Sequence, residues 1–170
     1  KLVKDENGNV VEQVWKVGGM YSEAIEKIVY WLEKAATVAD DTQRATIEAL
    51  IAYYRTGDLK KFDEYNILWV KDTDCNVDFV NGFIESYGDP LGRKASWESV
   101  VNFRDVEACK RTEIMAANAQ WFEDNAPINP AYRKKEVKGV SAKVITVAML
   151  GGDCFPATAI GINLPNADWI

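Results

Sequence analysis

The chain has 170 residues, of which 48% are apolar, and its 20 basic and 26 acidic residues give a net charge of −6. This length and composition suit a folded chain with a sizeable core. The acidic balance repels phosphate backbones and argues against nucleic acid as the main partner. Histidine is absent, which excludes a Ser-His-Asp triad, a Cys-His pair and any histidine-ligated zinc site built from this chain alone. No apolar run reaches the ~18 residues of a membrane-spanning helix, so no membrane is expected as a partner.

The three cysteines, Cys75, Cys109 and Cys154, are widely spaced and form no CxxC pair. This pattern predicts neither a zinc ribbon nor a redox pair, and it favours free thiols in a reducing compartment. We therefore expect a cytoplasmic location. The first residues, KLVKDENGNV, contain no secretion signal and no initiator methionine, so we expect an internal piece of a longer protein or a processed product.

Residues 1–76 are predicted to form a mainly helical segment. ENGN at 6–9 is typical of a tight turn between two short strands. Apolar residues then recur at helical spacing in three consecutive stretches, which predicts three helices that pack as antiparallel neighbours. The predicted caps of these helices, and the glycine predicted to end the second one, are Ser22, Asp41 or Thr42, Asp58 and Gly57.

Residues 77–170 are predicted to form a strand-rich segment. Side chains alternate over 77–87, and SWESVVNF at 96–103 is a second strand candidate. The stretch 141–150 is a third strand candidate and is almost continuously apolar from Val144, which is typical of a strand buried on both faces. The chain after Gly151 is expected to be loop.

One long helix is predicted inside this segment, at about 105–125, with Asp105 as its cap. The expected fold class is therefore α+β. N-terminal helices would be followed by a mixed or antiparallel sheet, or a partial barrel, that carries this one inserted helix.

Two polar side chains stand out at the end of the first predicted strand. Because side chains alternate along a strand, Glu85 and Tyr87 are expected to project from the same face. A carboxylate can bind a cation, and a phenol can donate to a developing oxyanion. The same spacing also fits a half-exposed strand with polar outer side chains, and spacing alone does not separate the two interpretations.

Two carboxamides flank a proline in GINLPN. Pro165 restricts the backbone between Asn163 and Asn166, and a carboxamide can accept from an ammonium or donate to a carbonyl. Simple turn formation explains the same residues. GGDCF at 151–155 lacks the lysine and spacing of a phosphate-binding loop and is interpreted as a plain turn.

The residues leave two rival functions open. The first is a self-contained acidic adaptor or peptide-binding module without an enzymatic parent. The second is a carboxylate-based hydrolase that uses Glu85 and Asp89, which requires about 5–10 Å between the two carboxyl groups across a cleft.

Four motifs, taken together, resemble one known family. They are FVNGFIESYGDPLGRKASWESVVNFRD, NAQWFEDNAP, VKGVSAKVITVAMLGGD and AIGINLPNADWI, in this order. The chain resembles the dipeptidyl peptidase III family of zinc exopeptidases, most closely its bacterial branch. The resemblance is specific over residues 77–170, and GGMYSEAIEKIVYWLEKA extends it toward the front.

The resemblance implies a two-lobed enzyme with a wide cleft, in which one lobe contains a five-stranded β-barrel. The other lobe is helical and holds zinc on an H-E-x-x-G-H motif and a later E-E-x-R-A-E motif. Neither motif occurs in this sequence, so the chain is expected to bind no zinc, to be inactive alone and to contact the zinc-bearing lobe of its parent. Carried over by resemblance, Glu85, Asn163 and Asn166 bind the N-terminus of an oligopeptide substrate, and Tyr87 assists as an oxyanion donor.

Overall fold

The architecture is known from a computed structural model that describes residues 1–139 and 141–170. Val140, in the motif VKGVSAKVITVAMLGGD, lies outside the described residues. Five helices and five strands occur in the described part of the chain, and the strands form two antiparallel sheets. The predicted α+β class is therefore confirmed.

The chain begins with a short hairpin, as predicted. Strand β1 (Leu2–Lys4) pairs antiparallel with β2 (Val10–Glu12). The turn between them is organised by Asp5, whose carboxylate accepts the backbone N–H groups of Asn7 and Asn9 at 2.9 and 2.8 Å.

Three helices follow: α1 (Ser22–Ala36), α2 (Asp41–Thr56) and α3 (Leu59–Lys71). Asp58 caps α3, and Gly57 ends α2 with a φ of 70°, both as predicted. The prediction for the start of α2 was off by one residue, because Asp40 is the side chain that accepts the N–H of Gln43. Ser22 is the first residue of α1 rather than its cap, since its hydroxyl accepts the N–H of Gly18 and donates to Glu26.

The hydrophobic core lies among these three helices and reaches into the first strand that follows them. Its buried members are Ile25, Val29, Leu32, Ile47, Leu50, Ile51, Tyr53, Tyr54 and Tyr65. Phe79 and Phe83 pack against this cluster from beyond residue 76. The division of the chain at 76 and 77 therefore stays a prediction, since side chains on both sides of it share one core.

A second sheet carries the remaining strands in the order β3–β4–β5, all antiparallel. They are β3 (Val77–Gly82), β4 (Glu98–Arg104) and β5 (Ile145–Gly152). The first strand was predicted to run to residue 87, which is wrong. Pairing stops at Gly82 and Glu98.

The early end of β3 has a cause in the aromatic residues beside it. Phe83 packs on Trp15 with ring centroids 5.2 Å apart, and the indole of Trp97 donates to the hydroxyl of Tyr54 at 2.8 Å. The Tyr54 hydroxyl donates in turn to Asn81 at 2.5 Å. Because Phe83 and Trp97 both turn toward the helical core, the segment after β3 and the segment before β4 separate at the point where the next residue pair would form.

The predicted long helix is two helices. Helix α4 (Val106–Ala117) begins at Asp105, which caps it as predicted, and α5 (Ala119–Asp124) follows. The break is at Asn118, whose side chain donates to the carbonyl of Ile114 at 2.7 Å. Such local bonds compete with the helical pattern and explain the interruption. A single 3-10 turn, Pro130–Tyr132, lies between α5 and β5.

Strand β5 was predicted to be buried on both faces, and this is wrong. Residues 145–149 are exposed, because β5 is the last strand of a three-stranded sheet and no element of the described chain covers it. Where a sheet or a partial barrel was predicted, the described residues form an open sheet of three strands. Among the described residues, no helix is long and apolar enough to cross a membrane.

Candidate functional site

The segment that follows β3 places a carboxylate against the distant Pro165 loop. After Phe83 enters the core, Glu85 is half-buried. The side-chain amide of Asn166 donates to Glu85 Oε1 at 2.8 Å, across 81 residues of sequence. The structure thus joins two of the four residues that the resemblance marks as a site.

A cavity with a mixed polar and apolar lining lies beside this contact. It measures about 130 Å³, and it separates α3 and β3 from the loop that carries Asn166. The lining side chains include Phe62, Trp69, Val80, Ile84, Leu164 and Pro165. Ile84 and Pro165 each precede a residue of the Glu85–Asn166 pair, so packing around this cavity positions the backbone on both sides of the hydrogen bond.

The other two predicted site residues are placed differently. Tyr87 is 90% exposed, and Asn163 is exposed on the loop three residues before Asn166. Glu85 and Tyr87 were predicted to share one face of a strand. This prediction is wrong, because β3 ends at Gly82. Tyr87 instead lies in a turn, in which the N–H of Asp89 donates to the carbonyl of Ser86 at 2.9 Å.

Glu98 lies close enough to both Glu85 and Asp153 to be affected by their charges, and the sequence analysis missed Glu98 and Asp153. Burial raises the pKa of Glu98, and the nearby charges of Glu85 and Asp153 raise it further, whereas a hydrogen bond from the Cys154 thiol lowers it. That thiol lies 3.5 Å from Glu98 Oε2. Within residues 1–139 and 141–170, no hydrogen-bond donor pairs with the buried Oε1 of Glu98.

Negative charge is therefore concentrated around Glu98. The carboxylate of Asp153 is held by the hydroxyl of Ser96, and its backbone N–H donates to the carbonyl of Trp97 at 2.9 Å. A bound cation would offset the repulsion that the charges of Glu85 and Asp153 exert on the Glu98 carboxylate. A signal for Glu98 was present in the sequence, as an acidic residue shortly before the apolar pair Val100 and Val101 of β4.

Asp89 does not serve as a second catalytic carboxylate. It is buried, and its two oxygens accept the backbone N–H groups of Arg93, Lys94 and Ala95 at 2.9, 3.0 and 2.7 Å. Burial raises the pKa of Asp89, but these three bonds lower it more, so its pKa lies below the ordinary value. Such a carboxylate stays ionised and engaged, which removes the support for a hydrolase based on Glu85 and Asp89.

The family model that matches residues 3–170 describes peptidases. The chain belongs to peptidase family M49, because the match extends over nearly its whole length.

The relatives with curated names include dipeptidyl peptidases and a protein named as a nudix hydrolase. Dipeptidyl peptidase 3 of Rattus norvegicus and of Homo sapiens are each 28% identical over 151 residues, covering 88% of this chain and 20% of the relative. Nudix hydrolase 3 of Arabidopsis thaliana is 30% identical over 111 residues, covering 65% of this chain and 14% of the relative. The chain thus spans about a fifth of the length of the first two relatives.

Solved structures show the same fold. Dipeptidyl peptidase III from Caldithrix abyssi superposes with a TM-score of 0.76 at 22% identity, over 99% of this chain and 32% of that structure. The enzyme from Corallococcus sp. strain EGB superposes with a TM-score of 0.60 over 89% of this chain and 28% of that structure.

Proposed function

We propose that this chain forms the substrate-binding part of a dipeptidyl peptidase that removes dipeptides from the N-terminus of oligopeptides. The observation that carries the proposal is the hydrogen bond between Glu85 and Asn166, formed near Glu98, whose pKa the charge of Glu85 raises. The α-ammonium of a peptide is a compact cation with three donors. A carboxylate with a neighbouring carboxamide oxygen supplies a charge-assisted bond and a further acceptor for it.

The amide of Asn166 orients the carboxylate in the absence of substrate. Because that amide donates to Glu85 Oε1, the other carboxylate oxygen and the amide oxygen of Asn166 remain to accept from an ammonium. Asn163 extends from the same loop and is proposed to accept the third N–H. A site that recognises the free amine in this way sets the distance to the bond that is cut, since two extended residues span about 7 Å.

Tyr87 is proposed to donate its phenolic hydrogen to the carbonyl oxygen of the peptide bond that is cleaved. Negative charge accumulates on that oxygen as the bond is attacked, and a fixed donor stabilises it. The exposure of Tyr87 supports this role, because a phenol that points away from its own chain is free to meet a substrate.

The residues of this chain do not fit a zinc site. The sequence contains no histidine, and the described residues contain no cluster of three or more His, Cys, Asp or Glu arranged around a metal position. We therefore assign the metal and the general base to the helical lobe of the parent. We expect that this chain alone, with zinc added, does not cleave a dipeptidyl-arylamide. Release of the arylamine by the purified chain would refute the assignment of the metal and the general base to the other lobe.

The proposal also includes the partners and location of the chain. An oligopeptide binds through its N-terminus, and the rest of the parent chain packs on the exposed surfaces. The three cysteines are free, and Cys109 and Cys154 are buried, which supports a reducing, cytoplasmic location.

The test replaces Glu85 in the full-length protein that carries this chain. Glu85→Gln removes the charge and keeps the shape, so KM for a dipeptidyl-arylamide is expected to rise about tenfold or more, the effect of losing one charge-assisted hydrogen bond. Steady-state kinetics at several substrate concentrations separates KM from kcat. The affinity for an N-acetylated peptide, measured by calorimetry, is expected to be weak in both proteins.

Glu107→Gln is the matched control, since Glu107 is an exposed carboxylate on α4 and its loss leaves KM unchanged. An unchanged KM in Glu85→Gln, or equal binding of free and N-acetylated peptides by the original protein, would refute the ammonium site.

A further inference from the structure

Tyr87 is held by its backbone rather than by its side chain. The bond from the N–H of Asp89 to the carbonyl of Ser86, at 2.9 Å, makes Tyr87 the second residue of a four-residue β-turn. With 90% of its side chain exposed, little protein surface is left to hold the ring. The direction of the phenol therefore depends on the geometry of the 86–89 turn.

Asp89 connects that turn to a second one. Its carbonyl accepts the N–H of Gly92 at 2.9 Å, and its carboxylate accepts three N–H groups from residues 93–95. The side chain is 7% exposed, so these bonds are shielded from water. One residue thus closes the turn that carries Tyr87 and also fixes the segment that leads to β4.

The space beside Gly88 in this turn is also limited. A methyl group added at Gly88 would lie 3.0 Å from Asp153 Oδ2, and Asp153 is itself bound by the hydroxyl of Ser96. The turn therefore has little room to shift while both contacts are intact.

We propose that Asp89 is a positioning residue, which fixes the 86–89 turn and thereby directs the phenol of Tyr87 without touching the substrate. This inference rests on the oxyanion-donor role proposed above for Tyr87. Glu85 has a separate connection, through its hydrogen bond with Asn166. Loosening the turn is therefore expected to lower kcat much more than it raises KM.

The test uses the full-length protein with Asp89→Asn, both alone and together with Tyr87→Phe. Asparagine keeps the size of the side chain but replaces one acceptor oxygen by an amide NH2 group, which only donates, so the side chain can no longer accept all three N–H groups. Alone, Asp89→Asn is expected to lower kcat about tenfold through misplacement of Tyr87, with KM within about twofold. In the Tyr87→Phe background it is expected to cause little further loss, because the group it positions is already absent.

Two results would overturn the inference. If Asp89→Asn lowers kcat by the same factor in both backgrounds, Asp89 acts on the fold in general and not through Tyr87. If Tyr87→Phe lowers kcat and Asp89→Asn does not, the positioning role fails while the proposed function stands. An unchanged kcat in Tyr87→Phe would instead remove the role of Tyr87 and this inference with it. Asp41→Asn is the control, since that exposed carboxylate on α2 is far in sequence from the turn and leaves kcat unchanged.

A second variant keeps the test decisive where Asp89→Asn fails to fold, as judged by circular dichroism and thermal melting. Gly88→Ala perturbs the turn from the side of Asp153 and leaves Asp89 intact. Gly88 does not have a positive φ, so the backbone itself accepts alanine. Its kcat is expected to fall several-fold, and the Tyr87→Phe background is expected to abolish that fall; a fall of equal size in both backgrounds would contradict the positioning role.

Discussion

The helical region, residues 22–71, and the strand-rich region, residues 77–152, both contain apolar stretches, but the first buries them and the second leaves part of them exposed. Leu50 and Tyr54 in the helical region are completely buried. Met149, in an equally apolar stretch of β5, is 66% exposed. The helices pack on one another and close a core, whereas β5 and the outer faces of α4 and α5 have no covering layer in the described chain. An apolar pattern therefore indicates a surface that needs a partner, and the topology decides whether the same chain supplies it.

The candidate site lies at the junction of the two regions. Phe83 is packed on Trp15 from the helical region, and Glu85 follows two residues later. Asn166 contacts the site from the C-terminal loop. The helical region thus supports the site, and its stability sets how firmly the site is held.

Removing the largest buried side chain of the helical region tests this difference most strongly. Tyr54→Ala leaves a cavity and removes the hydrogen bonds to Asn81 and from Trp97, so it is expected to lower the free energy of unfolding by about 3–5 kcal/mol. Urea denaturation followed by circular dichroism measures the free energy of unfolding. Trp31→Ala, at a position that is 67% exposed, is the control and is expected to change stability by about 0.5 kcal/mol or less. Equal losses for the two variants would mean that the helical region does not pack as described.

High pH is expected to weaken the helical region by a smaller amount. Burial raises the pKa of Tyr53 from 10.0 to about 12, and burial also raises the pKa values of Tyr54 and Tyr65. A tyrosine whose pKa is raised stays protonated in the folded state while the unfolded state ionises. Its contribution to stability is therefore complete below pH 10 and is lost as the pH rises toward 12, by about 1.4 kcal/mol per pH unit for each group.

The measurement is the free energy of unfolding in urea at several pH values, with tyrosinate absorbance as the probe of ionisation. Tyr53→Phe should reduce the slope of stability against pH in this range. A slope that the substitution leaves unchanged would show that Tyr53 ionises equally well in both states.

The smallest effect is expected at the edge of the strand-rich region. Met149→Ala removes a side chain that is mostly exposed on β5, so the free energy of unfolding of this chain is expected to change by about 0.5 kcal/mol or less. In the full-length protein, where we propose that the parent covers this face, the same substitution is expected to lower the melting temperature measurably. A large loss in the isolated chain, with a midpoint that depends on protein concentration, would show instead that copies of the chain cover the face.

Local signals predicted the local structure well. Asp58, Asp105 and Gly57 stand at the helix ends where their chemistry predicts them, because caps depend on only a few neighbouring residues. The end of β3 was not predictable in this way. Alternation continues formally past Gly82, and only the distant Trp15 and Tyr54 explain why Phe83 and Trp97 leave the sheet.

The candidate site shows the same limit. The hydrogen bond between Glu85 and Asn166 joins residues 81 positions apart, and no pattern of composition or spacing connects them; the family resemblance did. Glu98 was overlooked because an acidic residue at a strand end is usually solvated. The environment of Glu98 depends on Asp153 and Cys154, which lie more than 50 residues further along the chain.

Trp97 and Glu98 are adjacent in the chain, yet one belongs to the helical core and the other to the acidic site. The indole of Trp97 donates to the hydroxyl of Tyr54 on α2, so the placement of the adjacent carboxylate depends on that helix through its neighbour. If this acidic site were transferred to another scaffold, α2 would have to be transferred with it. Otherwise another acceptor would have to replace Tyr54 as the partner of the Trp97 indole.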